Sequence, residues 1–345
     1  MSVVTARDVA LAAGVSQATV SRALRPSSRV TPETRSRVLE AADRLGYIPN
    51  SVAQGLASQR TRTIAVVVAD LTNPFYPHLL HSLHDTLDLA GYRVVLFAER
   101  TDMGAGREHL SQLLDRSLDG IVFTTATLDF DPRELARRNV PFVLMVRSVD
   151  DVPADVVVSD NVDGARQAAK VLLDAGHRRI GMISGPANTS TARDRLRGFR
   201  AALQEAGCPL DDGLLLIGSY SHQSGHQRTS ELMALPSPPT AVFCGNDVIA
   251  FGALDAARRL GFQVPGDLSV IGFDDIPMAE WRAFGLTTIR QPLAEMAHTA
   301  AHMVLERIDR ARRRDDADGQ RELPPRREVF PVNVVRRATV GSPRA

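Results

Sequence analysis

Eight short apolar runs punctuate the chain from residue 64 onward: IAVVVADL, YRVVLFAE, GIVFTT, PFVLMV, DVVVSD, RIGMISG, AVFCGND and LSVIGFDD. Runs of this length, rich in β-branched residues and without polar alternation, read as strands buried on both faces, as in a parallel sheet. The stretches between them, such as 78–90, 165–175, 196–206 and 248–260, have helical spacing and end at Gly91, Gly176, Gly207 and Gly261. Glycine there suits the left-handed conformation that closes a helix. Strand, helix and glycine in repetition define a doubly wound α/β architecture. The repeat occupies about 280 residues, more than one sheet holds, so two lobes with a cleft between them are predicted.

The first sixty residues follow another pattern. In TARDVALAAGVSQATVSRAL, Thr5 with Asp8 has capping-box spacing before a helix over 6–13. Gly14 suits a bend, and Ser16 can cap a second helix over 17–24. Val9, Ala10, Val20 and Leu24 would face inward, leaving Gln17, Ala18, Ser21 and Arg22 exposed at the start of the second helix. That is helix-turn-helix geometry, in which such a face meets base edges. Thr31 before Pro32 signals a third helix with Val38, Leu39, Ala42 and Leu45 inward and Gly46 as its stop. Residues 1–60 hold eight Arg against four acidic residues, a net +4, whereas the whole chain is only +1. The basic excess therefore sits on the head, as expected of a surface that meets double-stranded DNA. A plain helical bundle is the alternative for this segment. In PNSVAQGLASQR, Asn50 can cap a short helix with Val52 and Leu56 on one face, too short to be stable alone and weakened by Gly55. A flexible linker is the competing reading of that segment.

Hydrophobic content of 44% and charged content of 23% are those of a soluble globular protein. No apolar run reaches the ~20 residues of a membrane span, and the N-terminus lacks the charged and apolar regions of a secretion signal, so the cytoplasm is expected. Cys208 and Cys244 stand in unrelated contexts without companion histidines, and neither a disulfide framework, a metal site nor a cofactor is expected.

In open α/β sheets ligands sit beyond the carboxyl ends of strands, where this chain places Asp70, Asp160 with Asn161, Asn246 with Asp247, and Asp274 with Asp275. Carboxylates and amides suit hydroxyl-rich ligands. Arg195 can add a donor fork, and Phe75, Tyr76, Tyr220 or Trp281 can cover a ring. A sugar or nucleoside is the ligand class these groups fit. Each acidic residue has a competing role as the cap of the following helix, with Asp247 and Asp275 expected to be the caps of their pairs.

The head, the PN-x-x-A-x-x-L segment, VADLTNPFYPHL, GHRRIGMISGP, RLRGFRAAL, TAVFCGND, LSVIGFDDIP and LTTIRQP, in this order over residues 5 to about 337, resemble the LacI-type bacterial transcription regulators. The resemblance implies an N-terminal helix-turn-helix head over 1–48, a hinge helix over 49–61 and a periplasmic-binding-protein-like core over 62–345. It also implies a homodimer on a palindromic operator, with linker helices in the minor groove. Gln17, Ala18 and Arg22 match base-reading positions. Ser16, Thr19, Ser21 and Arg29 are expected to hold phosphates, Thr5 to belong to the DNA-binding set, Asn50 and Ala53 likewise on the linker helix, and Leu56 to be the wedge between base pairs.

For the effector the implied set is Asp70, Phe75, Tyr76, Arg147, Asp160, Arg195, Tyr220, Asn246, Asp274 and Gln291. Asp160 and Gln291 have hinge packing as their alternative. The lobes are expected to be 62–160 with 292–320, and 161–291 with 321–339. Phe284 and Gly285 replace a Pro-Pro pair common before the LTT string, and the tail after Val335 lacks the heptads of a tetramer. The resulting expectation is a repressor controlled by a sugar or sugar derivative. The alternatives are a corepressor-activated regulator of purine or nucleoside genes and, more remotely, a transport-type binding protein. An enzyme is not expected, since no nucleophile–base pair, phosphate loop or metal motif is present.

Overall fold

The computed structural model describes residues 4–24, 30–47, 61–98, 118–316 and 324–344. Two compact units divide the chain, Met1–Thr61 and Arg62–Ala345.

In the first unit, helices α1 (Ala6–Ala13), α2 (Gln17–Ala23) and α3 (Pro32–Leu45) close around Val9, Val20, Ala23 and Val38, none of which is solvent accessible. Asp8 accepts from the Thr5 amide at 2.8 Å and the Thr5 hydroxyl at 2.7 Å, tying down the start of α1. Gly14 takes φ +64° at the bend, and Ser16 Oγ accepts from the Thr19 amide at 3.1 Å to start α2. One expectation is corrected. Leu39 is 46% exposed, and Ala41 is buried instead. The inward stripe of α3 runs through Val38, Ala41, Ala42 and Leu45, and a residue one position after Val38 lies about 100° off that stripe. Arg29, Asn50, Ala53 and Leu56 lie outside the described residues.

The second unit carries two parallel sheets. The first comprises β1 (Thr63–Val68), β2 (Arg93–Ala98), β3 (Gly120–Phe123), β4 (Phe142–Met145), β5 (Asp155–Ser159) and a late strand β11 (Arg327–Phe330). Its order, β11-β5-β4-β3-β1-β2, reverses direction at β1. Helix α4 (Phe75–Leu89) follows β1, and the short α5 (Arg133–Arg137) precedes β4. The second sheet comprises β6 (Ile180–Ser184), β7 (Leu215–Ile217), β8 (Ala241–Cys244) and β9 (Ser269–Ile271), ordered β7-β6-β8-β9. Around it lie α6 (Asn161–Asp174), α7 (Ser190–Glu205), α8 (His222–Met233) and α9 (Asp247–Arg259). A two-stranded antiparallel ribbon joins β10 (Thr288–Arg290) to β12 (Asn333–Val335), and the long α10 (Leu293–Asp316) packs against β3, β4, β5 and α4.

The chain thus passes between the lobes after Ser159, after Arg290 and after Phe330. The last crossing corrects the boundary expected near residue 321, because β11 pairs in parallel with β5, Arg327 beside Val156 through Phe330 beside Ser159. As a largely exposed edge strand, REVF shows no apolar run. Buried Asp155 holds this return in place, meeting Arg307 at 2.7 Å and Arg326 at 3.2 Å. Among the described residues no helix is long and apolar enough to cross a membrane, and no group of three or more His, Cys, Asp or Glu is placed to hold a metal.

Candidate DNA-reading face and ligand cleft

On α2 the side chains of Gln17, Ala18 and Arg22 are exposed, and those of Thr19 and Ser21 are half-buried. The Ser16 hydroxyl caps α2 and shares a hydrogen bond with Thr19 Oγ1 at 2.9 Å, so both hydroxyls are engaged within the head. Arg22 folds back along its helix, its Nε donating to the Ala18 carbonyl at 3.1 Å, which leaves both terminal nitrogens open to a partner. An exposed helix face carrying an amide in its first turn and a guanidinium in its last has the chemistry for adenine and guanine edges.

In the second unit the carboxyl ends of both sheets hold the polar residues of the cleft, as doubly wound topology dictates. Asn73 accepts from the Phe75 amide at 3.0 Å and starts α4, so that Phe75 and Tyr76 stand edge to face at 5.5 Å, both buried. Burial pushes the Tyr76 phenol up, Arg147 opposes the rise, and Tyr220 and Asp274 add to it. Tyr76 and Arg147 come from the first lobe, Tyr220 and Asp274 from the second, so groups of both lobes act on the Tyr76 phenol.

Arg195, on α7, is the hub of the second lobe. Its Nε donates to Asn161 Oδ1 at 2.8 Å, its Nη1 to the Gly245 carbonyl, its Nη2 lies 3.5 Å from Asp274 Oδ1, and its guanidinium carbon sits 3.6 Å from the centre of the Phe273 ring. Gln291 donates to the same Asp274 oxygen at 2.7 Å and accepts from Ser159 Oγ at 2.5 Å. Ser159 ends β5 and Gln291 follows β10, so this chain of bonds connects Asp274 with two of the three lobe crossings. The Tyr220 ring lies against Gly185, where any Cβ would fall 2.1 Å from its Cζ, and the phenol bonds Thr191 Oγ1 at 3.0 Å.

Neither expected cap is found: the roles in the first pair are exchanged, and in the second neither residue caps a helix. Asn246 caps α9, accepting from the Ile249 amide at 2.9 Å. Asp247 is fully buried, accepting from Thr288 Oγ1 at 2.5 Å and the Ile276 amide at 2.9 Å. Asp275 pairs with Arg290 at 2.6 Å and Arg337 at 2.7 Å. Asp160 takes the capping role, accepting from the Asp163 amide at 2.9 Å. Asp70 is not brought into the polar network. It is exposed and closes the turn after β1, accepting from the Thr72 amide at 2.8 Å and hydroxyl at 2.7 Å. Trp281 is 54% exposed and stacks on Phe284, which packs on Phe251 at 4.3 Å. Of the two residues that orient Arg195, Asn161 is expected at a strand end with Asp160 but not in the effector set, and Phe273 is not expected at all. Asn161 directly follows Asp160 at a strand end, the signal by which it was open to detection.

Burial pushes the Asp274 carboxyl up to about 6 against the pull of Arg195 and Gln291. Asp247 is raised well above the carboxylate range, chiefly by burial and next by the neighbouring Asp274. With its folded value above its unfolded one, Asp247 stabilises the fold most at low pH and loses that contribution as pH rises through the folded value. Asp247→Asn, a neutral isostere, is therefore expected to cost about 1 kcal/mol or less near neutral pH and to flatten the pH dependence. Urea unfolding of both proteins from mildly acidic to alkaline pH checks this. A loss of several kcal/mol at every pH would show that an ionised carboxylate is required.

A three-helix head whose second helix has an exposed polar face, together with a two-lobed parallel α/β core with a polar cleft, defines a DNA-binding regulator with a ligand-binding core. Residues 5–50 match the bacterial regulatory proteins of the lacI family, and residues 169–340 match the periplasmic binding protein-like domain. The chain is 37% identical over 337 residues to the HTH-type transcriptional regulator DegA of Bacillus subtilis (strain 168), spanning 95% of this chain and 99% of that protein. It is 35% identical to the transcriptional repressor CytR of Escherichia coli (strain K12), over 88% of this chain and 89% of that one. The solved lac repressor dimer bound to operator and the anti-inducer ONPF superposes with a TM-score of 0.84 at 29% identity, covering 99% of this chain and 100% of that one. The chain belongs to the lacI family.

Proposed function

We propose that this regulator is a repressor that binds a palindromic operator as a homodimer, in the cytoplasm where that DNA lies, and releases it when a small sugar or sugar derivative occupies the cleft. The observation that carries the reading is the bonded chain Arg195–Asp274–Gln291–Ser159, which joins the cleft floor to the lobe crossings. A ligand whose hydroxyls engage Asp274 alters the groups on which lobe closure turns, and differential binding to two closures is what control requires. The sugar class draws support from relatives of the same architecture. The transcriptional regulator CelR is solved as a cellobiose complex, with a TM-score of 0.71 at 32% identity, covering 97% of this chain and 99% of that one. A LacI family regulator from Enterococcus faecium is solved with bound ribose, with a TM-score of 0.70 at 29% identity, covering 81% of this chain and 98% of that one.

On the head, Arg22→Ala is expected to weaken specific operator binding by roughly 1–3 kcal/mol and to relax one operator position, the effect of losing a bidentate base contact. Anisotropy titrations against singly substituted operators measure it at fixed salt. An unchanged sequence preference would remove Arg22 from the base-reading set.

A further inference from the structure

We propose that Arg147 receives an anionic substituent, a carboxylate or a phosphate, of the molecule that occupies the cleft. The inference rests on the cleft being the ligand site and names the chemistry of that ligand.

Among the described residues only two arginines are buried, Arg195 at 3% exposure and Arg147 at 5%. They are satisfied very differently. Arg195 has an amide oxygen, a carbonyl, a carboxylate and an aromatic face. Arg147 has one hydrogen bond, Nη1 to the Thr125 carbonyl at 2.9 Å, and no carboxylate within ion-pair distance among the described residues. The less buried Arg307, Arg312 and Arg337 each meet a carboxylate at 2.7 Å. A guanidinium carries five donors and stays charged, so most of the Arg147 fork is unused and its charge is uncompensated, which is costly away from water.

The unused donors open onto the cleft. Among the described residues no nitrogen of Arg147 is a fully buried atom lacking a hydrogen-bond partner, so its free N–H groups keep access to solvent. Arg147 follows the end of β4 by two residues and bonds the carbonyl of Thr125, two residues past the end of β3, so it stands at the carboxyl edge of the first sheet, where the cleft lies, and its charge acts on the Tyr76 phenol. Asp274 does not neutralise it, being engaged by Arg195 and Gln291. Val146, immediately before, holds φ +72°, a strained conformation for a β-branched residue, pinned by its amide bond to the Val157 carbonyl at 2.9 Å. That backbone sets the direction in which Arg147 leaves β4. A neutral sugar would leave the charge uncompensated, whereas a sugar acid or sugar phosphate presents two oxygens to the fork.

The test compares the full-length wild type, Arg147→Gln and Arg147→Lys in thermal-shift and calorimetric titrations with inorganic phosphate, glucuronate, glucose 6-phosphate and glucose. The head is common to all three, so a difference between them reports on position 147. Saturable binding of phosphate or of one anionic sugar to wild type is expected, at least about tenfold weaker in Arg147→Gln and partly retained in Arg147→Lys. Without ligand, Arg147→Gln is expected to melt no lower than wild type, since it removes an unpaired buried charge. The ranking of glucuronate against glucose 6-phosphate separates carboxylate from phosphate.

Equal binding by wild type and Arg147→Gln, or no saturable binding of any of the three anions, overturns the proposal. A neutral sugar that shifts operator affinity equally in wild type and Arg147→Gln also overturns it, while leaving the cleft as the control site. An anion that binds through Arg147 without changing operator affinity upholds the anion site and contradicts the control reading instead.

Discussion

Arg195→Leu is expected to retain operator binding and to lose the response to any effector that shifts the wild type. Leucine removes the bonds to Asn161 and to the Gly245 carbonyl, the pairing with Asp274 and the cation over Phe273. Deleting one partner of a buried ion pair typically costs about 3–5 kcal/mol, because the other charge is left without compensation. Here the loss is reduced by protonation, since the Asp274 carboxyl already sits at about 6 with Arg195 beside it and rises further without it. A folded value above the unfolded one makes the deficit grow as pH rises through the folded value and shrink on acidification. Urea unfolding across pH and operator titration with effector report the two effects separately. A variant that still responds to effector would remove Arg195 from the control pathway. A pH-independent loss of stability would show that Asp274 stays ionised.

Gly252→Val is expected to be strongly destabilising, by about 3 kcal/mol or more. Helices α8 and α9 cross so closely that a Cβ at Gly252 would lie 2.0 Å from the His222 carbonyl oxygen and 2.7 Å from the His226 nitrogen. A Cβ at Gly225 would in turn lie 2.0 Å from the Ile249 carbonyl oxygen, so two glycines make the crossing together. The obstructing atoms are backbone, which yields only by separating the helices, and overpacking of that kind is among the few mechanisms with large effects. Because α9 begins at Asn246 and Asp247, separation would also displace one wall of the cleft. Thermal unfolding measures the loss, and a near-wild-type melting temperature would show that the crossing relaxes freely.

Much of this architecture was legible from residue patterns, for identifiable reasons. Buried parallel strands must be apolar on both faces, so IAVVV or AVFC announces itself without neighbours. The same logic hid β11, an exposed edge strand whose REVF is held by β5 and by Arg326 on Asp155 rather than by its own apolarity. In the head, Thr5, Asp8, Gly14 and Ser16 act over three or four residues, and local chemistry of that range can be read from spacing. Leu39 escaped because its exposure depends on the rotation of α3, which neighbouring helices decide.

At the cleft, residue types were informative and roles were not. Asn246 and Asp247 are both polar residues after a strand, yet only tertiary placement beside Thr288 and Ile276 takes Asp247 into the interior and leaves the cap to Asn246. Asp70 and Asp160 went the other way, to a turn and a cap. The contrast between Arg195 and Arg147 was invisible as well, because the two differ in what surrounds them.

The central claim, that cleft occupancy controls DNA reading, is tested most directly by the operator affinity of the purified wild type. It is measured by anisotropy at fixed salt, because phosphate contacts make affinity strongly salt dependent. Each sugar and sugar acid is first tested for binding by calorimetry. The account predicts that a ligand bound in the cleft changes operator affinity by about 5- to 150-fold, and that operator DNA changes the affinity for that ligand by the same factor. A ligand that occupies the cleft while operator affinity stays unchanged would contradict it.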